Sequence, residues 1–150
     1  MWDKFKRQVQ VDLEQISGMF HMHYKLLEKC QTECPNTDEI PAVAAILHSF
    51  YTGVENIFKR IAIEIDGLAP TGAMWHSQLL QSMVSSNSKR PAVISHELYE
   101  DLQEYLDFRH VFRHAYTFDL KWVKMASLAQ RSGDMLHRLE NELQVFLKTL

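Results

Sequence analysis

The sequence predicts an all-α protein, an up-and-down bundle of four long helices and one short helix. Apolar residues recur every three or four positions through most of the 150 residues, as on the buried face of an amphipathic helix. Only 5 glycines and 4 prolines are present, which is few for the tight turns of an all-β chain. Strand alternation and internal repeats are not visible in the sequence. We therefore expect one helical domain over residues 1–150.

The first predicted helix covers residues 2–33. Its apolar stripe consists of Phe5, Val9, Leu13, Ile16, Phe20, Tyr24, Leu27 and Cys30. Pro35 cannot continue a helix, and the turn-forming residues 36–38 follow it. Cys30 and Cys34 are four residues apart, and no other cysteine is present to complete a zinc site. We interpret them as two free thiols in a reducing compartment.

A second helix is predicted over residues 41–66. Pro41 suits its first turn and Gly67 suits a C-terminal cap. Glu55 falls beside the apolar stripe of this helix, which leaves two interpretations open. The carboxylate is either solvated at the helix edge or a structural partner for a cation on another helix.

The short helix is predicted to start at Thr71 or Gly72 and to carry Trp75. His76 has two interpretations, as a histidine satisfied within a loop or as a neighbour of a cleft. Residues 85–91 are polar and predict a loop.

The last two long helices follow this loop. Ser95 is the predicted N-cap of the third, which continues into the segment RHVFRHAY at residues 109–116. The fourth is predicted over residues 120–149, with an interruption at Ser132–Gly133–Asp134.

Charge and composition bound the classes of function. A net charge of −3 argues against a protein that coats nucleic acid through bulk electrostatics, although it permits a local basic site. The first ten residues lack the apolar core of a signal peptide, and no run approaches the roughly 18 to 20 apolar residues of a membrane span. We expect a cytoplasmic protein that does not bind membranes.

The segment RHVFRHAY concentrates cations and imidazoles where the preceding helix is acidic. Arg109 and Arg113 are four residues apart, as are His110 and His114. Basic residues near a helix C-terminus are favoured by the helix dipole without any function. The histidine spacing also suits zinc, but the sequence places no third ligand nearby. If the helix ends or bends after Arg109, the guanidinium, the His114 imidazole and the Tyr116 phenol converge, which suits phosphodiester chemistry.

These residues resemble a known family. Arg109-x4-His114-x-Tyr116 is similar to the R-x4-H-x-Y signature of HepT-like toxins, which belong to the HEPN superfamily (higher eukaryotes and prokaryotes nucleotide-binding). The similarity extends over most of residues 47–124. It includes the segments Tyr51–Ile61, Asp66–Leu80 and Phe108–Phe118.

The resemblance implies a HEPN-like bundle that forms a homodimer, with one composite RNA-cleaving cleft at the dimer interface. It further implies a metal-independent endoribonuclease toxin, without a cofactor, in a type VII-like toxin–antitoxin pair. The partner would be an MntA-like nucleotidyltransferase antitoxin that silences the toxin by AMPylation of the motif tyrosine.

Carried over residue by residue, the resemblance makes Arg109 the phosphate-binding and stabilising residue and His114 the proton-transfer residue. His110 would support the cleft, and Tyr116 would be the AMPylation candidate. The resemblance assigns no role to Arg113, which is either a contact to the RNA backbone or a solvated surface residue. An alternative is a non-catalytic HEPN module that only binds a nucleotide, RNA or a nucleotidyltransferase.

Overall fold

The computed structural model describes residues 1–116 and 119–150 and confirms the all-α fold. The α-helices in these ranges are α1 Asp3–Met22, α2 Tyr24–Lys29, α3 Glu39–Ile61, α4 Trp75–Val84, α5 His96–His114 and α6 Trp122–Leu147. The four predicted long helices are α1, α3, α5 and α6, and the described ranges contain no β-strand. None of the described helices combines the length and the apolar character needed to cross a membrane.

Helix α3 is the centre of the bundle, since it packs against each of the other five helices. Buried apolar residues continue along it from Val43 to Ile61. Phe50, near its middle, packs against Phe20 of α1 with ring centroids 5.5 Å apart and against Tyr105 of α5 at 5.3 Å. The core therefore surrounds α3, and polar residues on α3 are held between neighbouring helices.

The first helix is shorter than predicted and is divided. The backbone leaves the helical conformation at His23, with φ −104° and ψ 20°, and α2 ends at Lys29 rather than at residue 33. The amide of Leu27 still donates to the His23 carbonyl, so the chain resumes as a short helix. Both cysteines are free thiols, with Cys30 buried and Cys34 exposed.

The end of α3 is fixed by a buried ion pair. A π-helical turn, Ala62–Asp66, continues α3, and Gly67 follows as the predicted cap with φ 84°. Asp66 accepts two hydrogen bonds of 2.8 Å from Arg90, whose side chain is 1% exposed. Arg90 also donates to the carbonyls of Ser82 and Ser85. The predicted polar loop thus contains a buried arginine that ties it to the end of α3.

Helix α4 begins at Trp75, so the predicted start at Thr71 or Gly72 is wrong. Gly72 adopts φ 97°, a left-handed conformation that does not belong to a right-handed helix. The turn before α4 is closed instead by the Trp75 amide, which donates to the Gly72 carbonyl.

Helix α6 runs without a break from Trp122 to Leu147, so the predicted interruption at residues 132–134 is wrong. The Ser132 hydroxyl donates to the Ala129 carbonyl at 2.8 Å and does not compete for the helical amides. Met135 and Leu136 continue the buried stripe immediately afterwards. Packing of this stripe outweighs the weak helix propensity of Gly133.

Helix α5 confirms the predicted N-cap, because the Leu98 amide donates to the Ser95 hydroxyl at 3.1 Å. The helix continues through His114, and Ala115 leaves it with an extended conformation. The RHVFRHAY segment is therefore helical for its first six residues and leaves the helix only at its end.

Candidate functional site

Arg109 occupies a position on α5 that the helical pattern reserves for the core. The residues that precede it on this face, Leu98, Leu102 and Tyr105, are all buried. Spacings of three and four continue the face through Arg109 to Phe112, which packs against the core. A guanidinium therefore stands where an apolar side chain is expected.

Among the described residues, Arg109 has no carboxylate partner of the kind that the other shielded arginines have. Arg60, Arg90, Arg131 and Arg138 each lie within 4.0 Å of an aspartate or glutamate oxygen. Arg109 is half-buried, and its Nε atom is buried without a hydrogen-bond partner among the described residues. An unpaired donor of this kind costs free energy and is typical of a site that awaits an anion.

The Arg109 side chain lines an open cavity of about 260 Å³ between α4 and α5. The cavity is lined by Ala73, Met74, His76, Ser77, Leu106, Asp107, Arg109, His110 and Arg113. Helix α4 begins at this cavity, and its N-cap residue Met74 provides no side-chain cap. The amide groups of a first helical turn favour anions, as do two guanidinium groups, so the cavity suits a phosphate group.

Helix α3 presents polar residues to the same region of α5. The His48 ring packs on Phe112 with centroids 4.9 Å apart. Burial, and then the positive charges of Arg109 and Arg113, lower the pKa of His48. One helical turn further on, burial and then the Glu55 carboxylate raise the pKa of the Tyr51 phenol, so this phenol stays protonated. His48 was not predicted as part of the site, although a histidine seven residues before Glu55 lies on the same helical face.

Glu55 is almost completely buried, with 4% of its side chain exposed. It contacts His76 Nδ1 through Oε2 at 2.7 Å. The interpretation of Glu55 as a solvated edge carboxylate is therefore wrong. Its partner lies on another helix, as the second interpretation held, but this partner is a histidine, which is a cation only when it is protonated. His76 lines the cavity, as its second interpretation held, and its Nδ1 atom contacts Glu55. The first interpretation is wrong, because His76 lies in α4 and not in a loop.

Two further side chains hold His76 in place. Its ring stacks on the Trp75 indole with centroids 3.6 Å apart. Lys59 of α3 lies over the same indole, with Nζ 4.2 Å from the ring centroid. The imidazole is thus fixed by a carboxylate at its edge and an aromatic ring at its face.

His114 and Tyr116 lie apart from the cavity. His114 is the last residue of α5 and is exposed, and its ring lies 4.8 Å from that of His110. Because α5 is unbroken, Arg109 and His114 point about 140° apart around the helix axis. Tyr116 follows the helix and is 71% exposed. Phe118, the last residue of the family-like segment, lies outside the described residues.

Within the described ranges, no group of three or more His, Cys, Asp or Glu side chains could hold a metal ion. The His110–His114 pair accordingly has no third ligand there.

Comparison with known proteins identifies one family. A family model described as HepT-like protein matches residues 42–150. This range includes α3 from its fourth residue, α4, α5 and α6, and hence every residue of the cavity. The curated proteins and the solved structures contain no match to the chain.

Proposed function

We propose that the chain, which belongs to the HepT-like family of HEPN-type proteins, is a metal-independent endoribonuclease toxin of a type VII-like toxin–antitoxin pair. It would act in the cytoplasm as a single HepT-like domain over residues 1–150. The observation that carries the proposal is the half-buried guanidinium of Arg109, without a carboxylate partner in the described part of the chain, beside a cavity suited to phosphate.

The proposed chemistry is attack of the RNA 2′-hydroxyl on the adjacent phosphorus. Arg109 binds the phosphate and stabilises the charge that grows on its oxygens. His114 transfers a proton, as an imidazole can near neutral pH. His110 supports the cleft and Arg113 contacts the RNA backbone. Because the nucleophile belongs to the RNA, the reaction needs no metal-bound water.

A homodimer gives this proposal its geometry. Arg109 and His114 diverge on one unbroken helix, so a single chain does not bring both to one phosphate. Two copies related by a twofold axis can place Arg109 of one chain opposite His114 of the other. The exposed apolar residues Val111 and Val123 support an interface near the motif.

The proposed antitoxin is an MntA-like nucleotidyltransferase that AMPylates Tyr116. The exposure of Tyr116, beyond the end of α5, is compatible with access by a second enzyme. Incubation with an MntA-like nucleotidyltransferase and ATP is expected to add one AMP group, detected by mass spectrometry. Tyr116→Phe is expected to remain unmodified.

The experiment that tests the ribonuclease is induced expression in a bacterial host, followed by assay of the purified chain. Wild type is expected to arrest growth and to cut RNA in the presence of a chelator. Arg109→Ala and His114→Ala are expected to do neither, whereas His137→Ala, at an exposed histidine of α6, should behave as wild type. Equal growth of all strains with a soluble, dimeric protein would contradict the proposal.

A non-catalytic module is the second candidate. One observation favours it: Arg109, His110 and Arg113 line the cavity, whereas His114 does not. Such a module would bind RNA or a nucleotide phosphate through the cavity and leave it intact. Retained RNA binding without cleavage by wild type, abolished in Arg109→Ala, would support this candidate over the ribonuclease.

A further inference from the structure

Glu55 and His76 form a buried pair that the resemblance does not explain. The Glu55 carboxylate is 4% exposed, and a carboxylate is withdrawn from water only at a cost unless a strong hydrogen bond compensates. Its contact with His76 Nδ1 at 2.7 Å provides that compensation. Because Glu55 accepts a hydrogen bond at Nδ1, neutral His76 carries its proton there, and Nε2 retains its lone pair.

His76 is also a lining residue of the cavity. His76 lines it together with Arg109, and 21% of the His76 side chain is exposed. Nδ1 faces Glu55, so Nε2 lies on the side of the ring away from α3. His76, whose ring is oriented by Glu55, and Arg109, whose Nε atom has no hydrogen-bond partner among the described residues, therefore line one cavity in the same chain.

We infer that His76 is a further catalytic residue of the proposed ribonuclease, the acceptor of the 2′-hydroxyl proton, and that Glu55 is its positioning residue. This inference rests on the proposed function. The O2′–H bond breaks as the proton passes to His76 Nε2, and the O2′–P bond forms. The P–O5′ bond then breaks, and the leaving oxygen takes a proton from protonated His114. A carboxylate that orients an imidazole in this way raises its effectiveness as a general base.

The reaction itself requires two proton-transfer groups, which supports separate roles for His76 and His114. Cleavage through a 2′-hydroxyl requires one group that takes a proton and another that gives one. His114 can hold only one of these roles at a time. His76 lies beside the phosphate-binding Arg109 and is suited to the first role, which leaves the second to His114.

Charged and titratable groups face His76 from both helices that pack against α4. From α3 these are Tyr51, Glu55 and Lys59, and from α5 they are Asp107, Arg109, His110 and Arg113. Tyr51 remains a neutral phenol, since burial and the Glu55 charge raise its pKa. Because several of these groups titrate, the pH dependence of RNA cleavage has to be compared between wild type and a variant that changes His76 alone.

The test compares kinetics across pH with a mixed-sequence single-stranded RNA oligonucleotide as substrate. Wild-type kcat/KM is expected to rise with pH across roughly pH 5 to 8, where histidines titrate. His76→Gln is expected to lower kcat by about 100-fold or more and to lose this rising limb. Binding of the uncleavable 2′-deoxy oligonucleotide should stay within about threefold of wild type, because the phosphate contacts of Arg109 persist.

Two further variants separate positioning from folding. Glu55→Gln keeps the shape of the side chain and is expected to lower kcat and to shift the rising limb. His96→Gln is the matched control, since it breaks a histidine–glutamate contact of 3.0 Å with Glu100 on the exposed face of α5. His96→Gln should keep both wild-type kcat and the wild-type pH profile.

A measurement on wild type avoids dependence on variant folding. Nitrogen NMR of the histidine rings should show His76 Nε2 shifting when a nucleoside 3′-monophosphate binds, while Nδ1 keeps its proton. This ligand has a 2′-hydroxyl beside its phosphate and has no 5′-linked leaving group to lose. Absence of that shift would overturn the inference. Cleavage that is lost in His114→Ala but unchanged in His76→Gln, with the same pH profile, would also overturn it and leave the ribonuclease standing. A wild type that cuts no RNA would refute the ribonuclease and the role of His76 together.

Discussion

Replacement of Arg109 by methionine is expected to make the protein more stable while it removes the proposed phosphate contact. The Nε atom of Arg109 is a buried donor without a partner in the described part of the chain, and such a donor costs about 1–3 kcal/mol. Methionine has a similar length, fits the core face next to Tyr105, and carries no donor. We therefore expect Arg109→Met to raise the free energy of unfolding by about 1 kcal/mol.

For a chain of this size, that gain corresponds to a rise in Tm of roughly 2–4 °C. The assay is thermal unfolding followed by circular dichroism at one pH and protein concentration, since dimerisation makes Tm depend on concentration. RNA cleavage by the same samples should be lost. A more stable and inactive protein is the pattern expected where a functional residue is held at the expense of the fold.

Two other arginines serve as controls. Arg113 is exposed, and Arg113→Met should change stability by no more than about 0.5 kcal/mol. Arg90→Met should destabilise the protein by about 3–5 kcal/mol, because it removes the ion-pair partner of Asp66 and the donor to three backbone carbonyls. An Arg109→Met protein that melts at or below the wild-type temperature would refute the reasoning, since it would mean that the guanidinium stabilises the fold.

Three other perturbations test the packing. Burial and nearby arginine charges lower the pKa of His48, so as the pH falls His48 is protonated in the unfolded chain before it is protonated in the folded chain. The free energy of unfolding should therefore fall as the pH drops through about 6.5, and it should fall less in His48→Gln. Thermal melts from pH 5 to 8 measure this difference. Tyr105→Phe removes a buried hydrogen bond of 2.7 Å to the Leu128 carbonyl, and the urea midpoint should fall by an amount equivalent to about 1 kcal/mol without a change in slope. A thiol reagent should modify Cys34 in the native protein and Cys30 only after unfolding; equal rates would contradict the burial of Cys30.

The sequence predicted the fold well because the helices carry strong apolar stripes. The core faces of α3 and α5 follow directly from spacings of three and four, and Ser95 and Gly67 mark helix ends with their usual cap chemistry. The predictions failed where tertiary packing decides. The buried stripe of α6 holds Gly133 within a helix, whereas α1 gives way at His23 without any proline or glycine.

The sequence predicted only those residues of the site that lie close together along the chain. Spacing identified Arg109, His110 and Arg113, which α5 does bring to one cavity. Spacing could not pair Glu55 with His76, because the two residues are 21 positions apart and belong to different helices. Nor could it reveal that Arg109 has no counter-charge among the described residues, since that depends on which carboxylates the other helices turn toward it.

Because α5 is unbroken between Arg109 and His114, two inactive variants of the protein are expected to complement each other. If each cleft joins Arg109 of one chain to His114 of the other, two different inactive alleles can complement each other. Co-expression of Arg109→Met with His114→Ala produces heterodimers in which one native arginine still faces one native histidine. Such a mixture should regain ribonuclease activity that neither variant has alone, at roughly a quarter of the wild-type level if the chains pair at random. Under the proposed function, the chain would be inactive as a newly made monomer and would become harmful only as chains accumulate and pair.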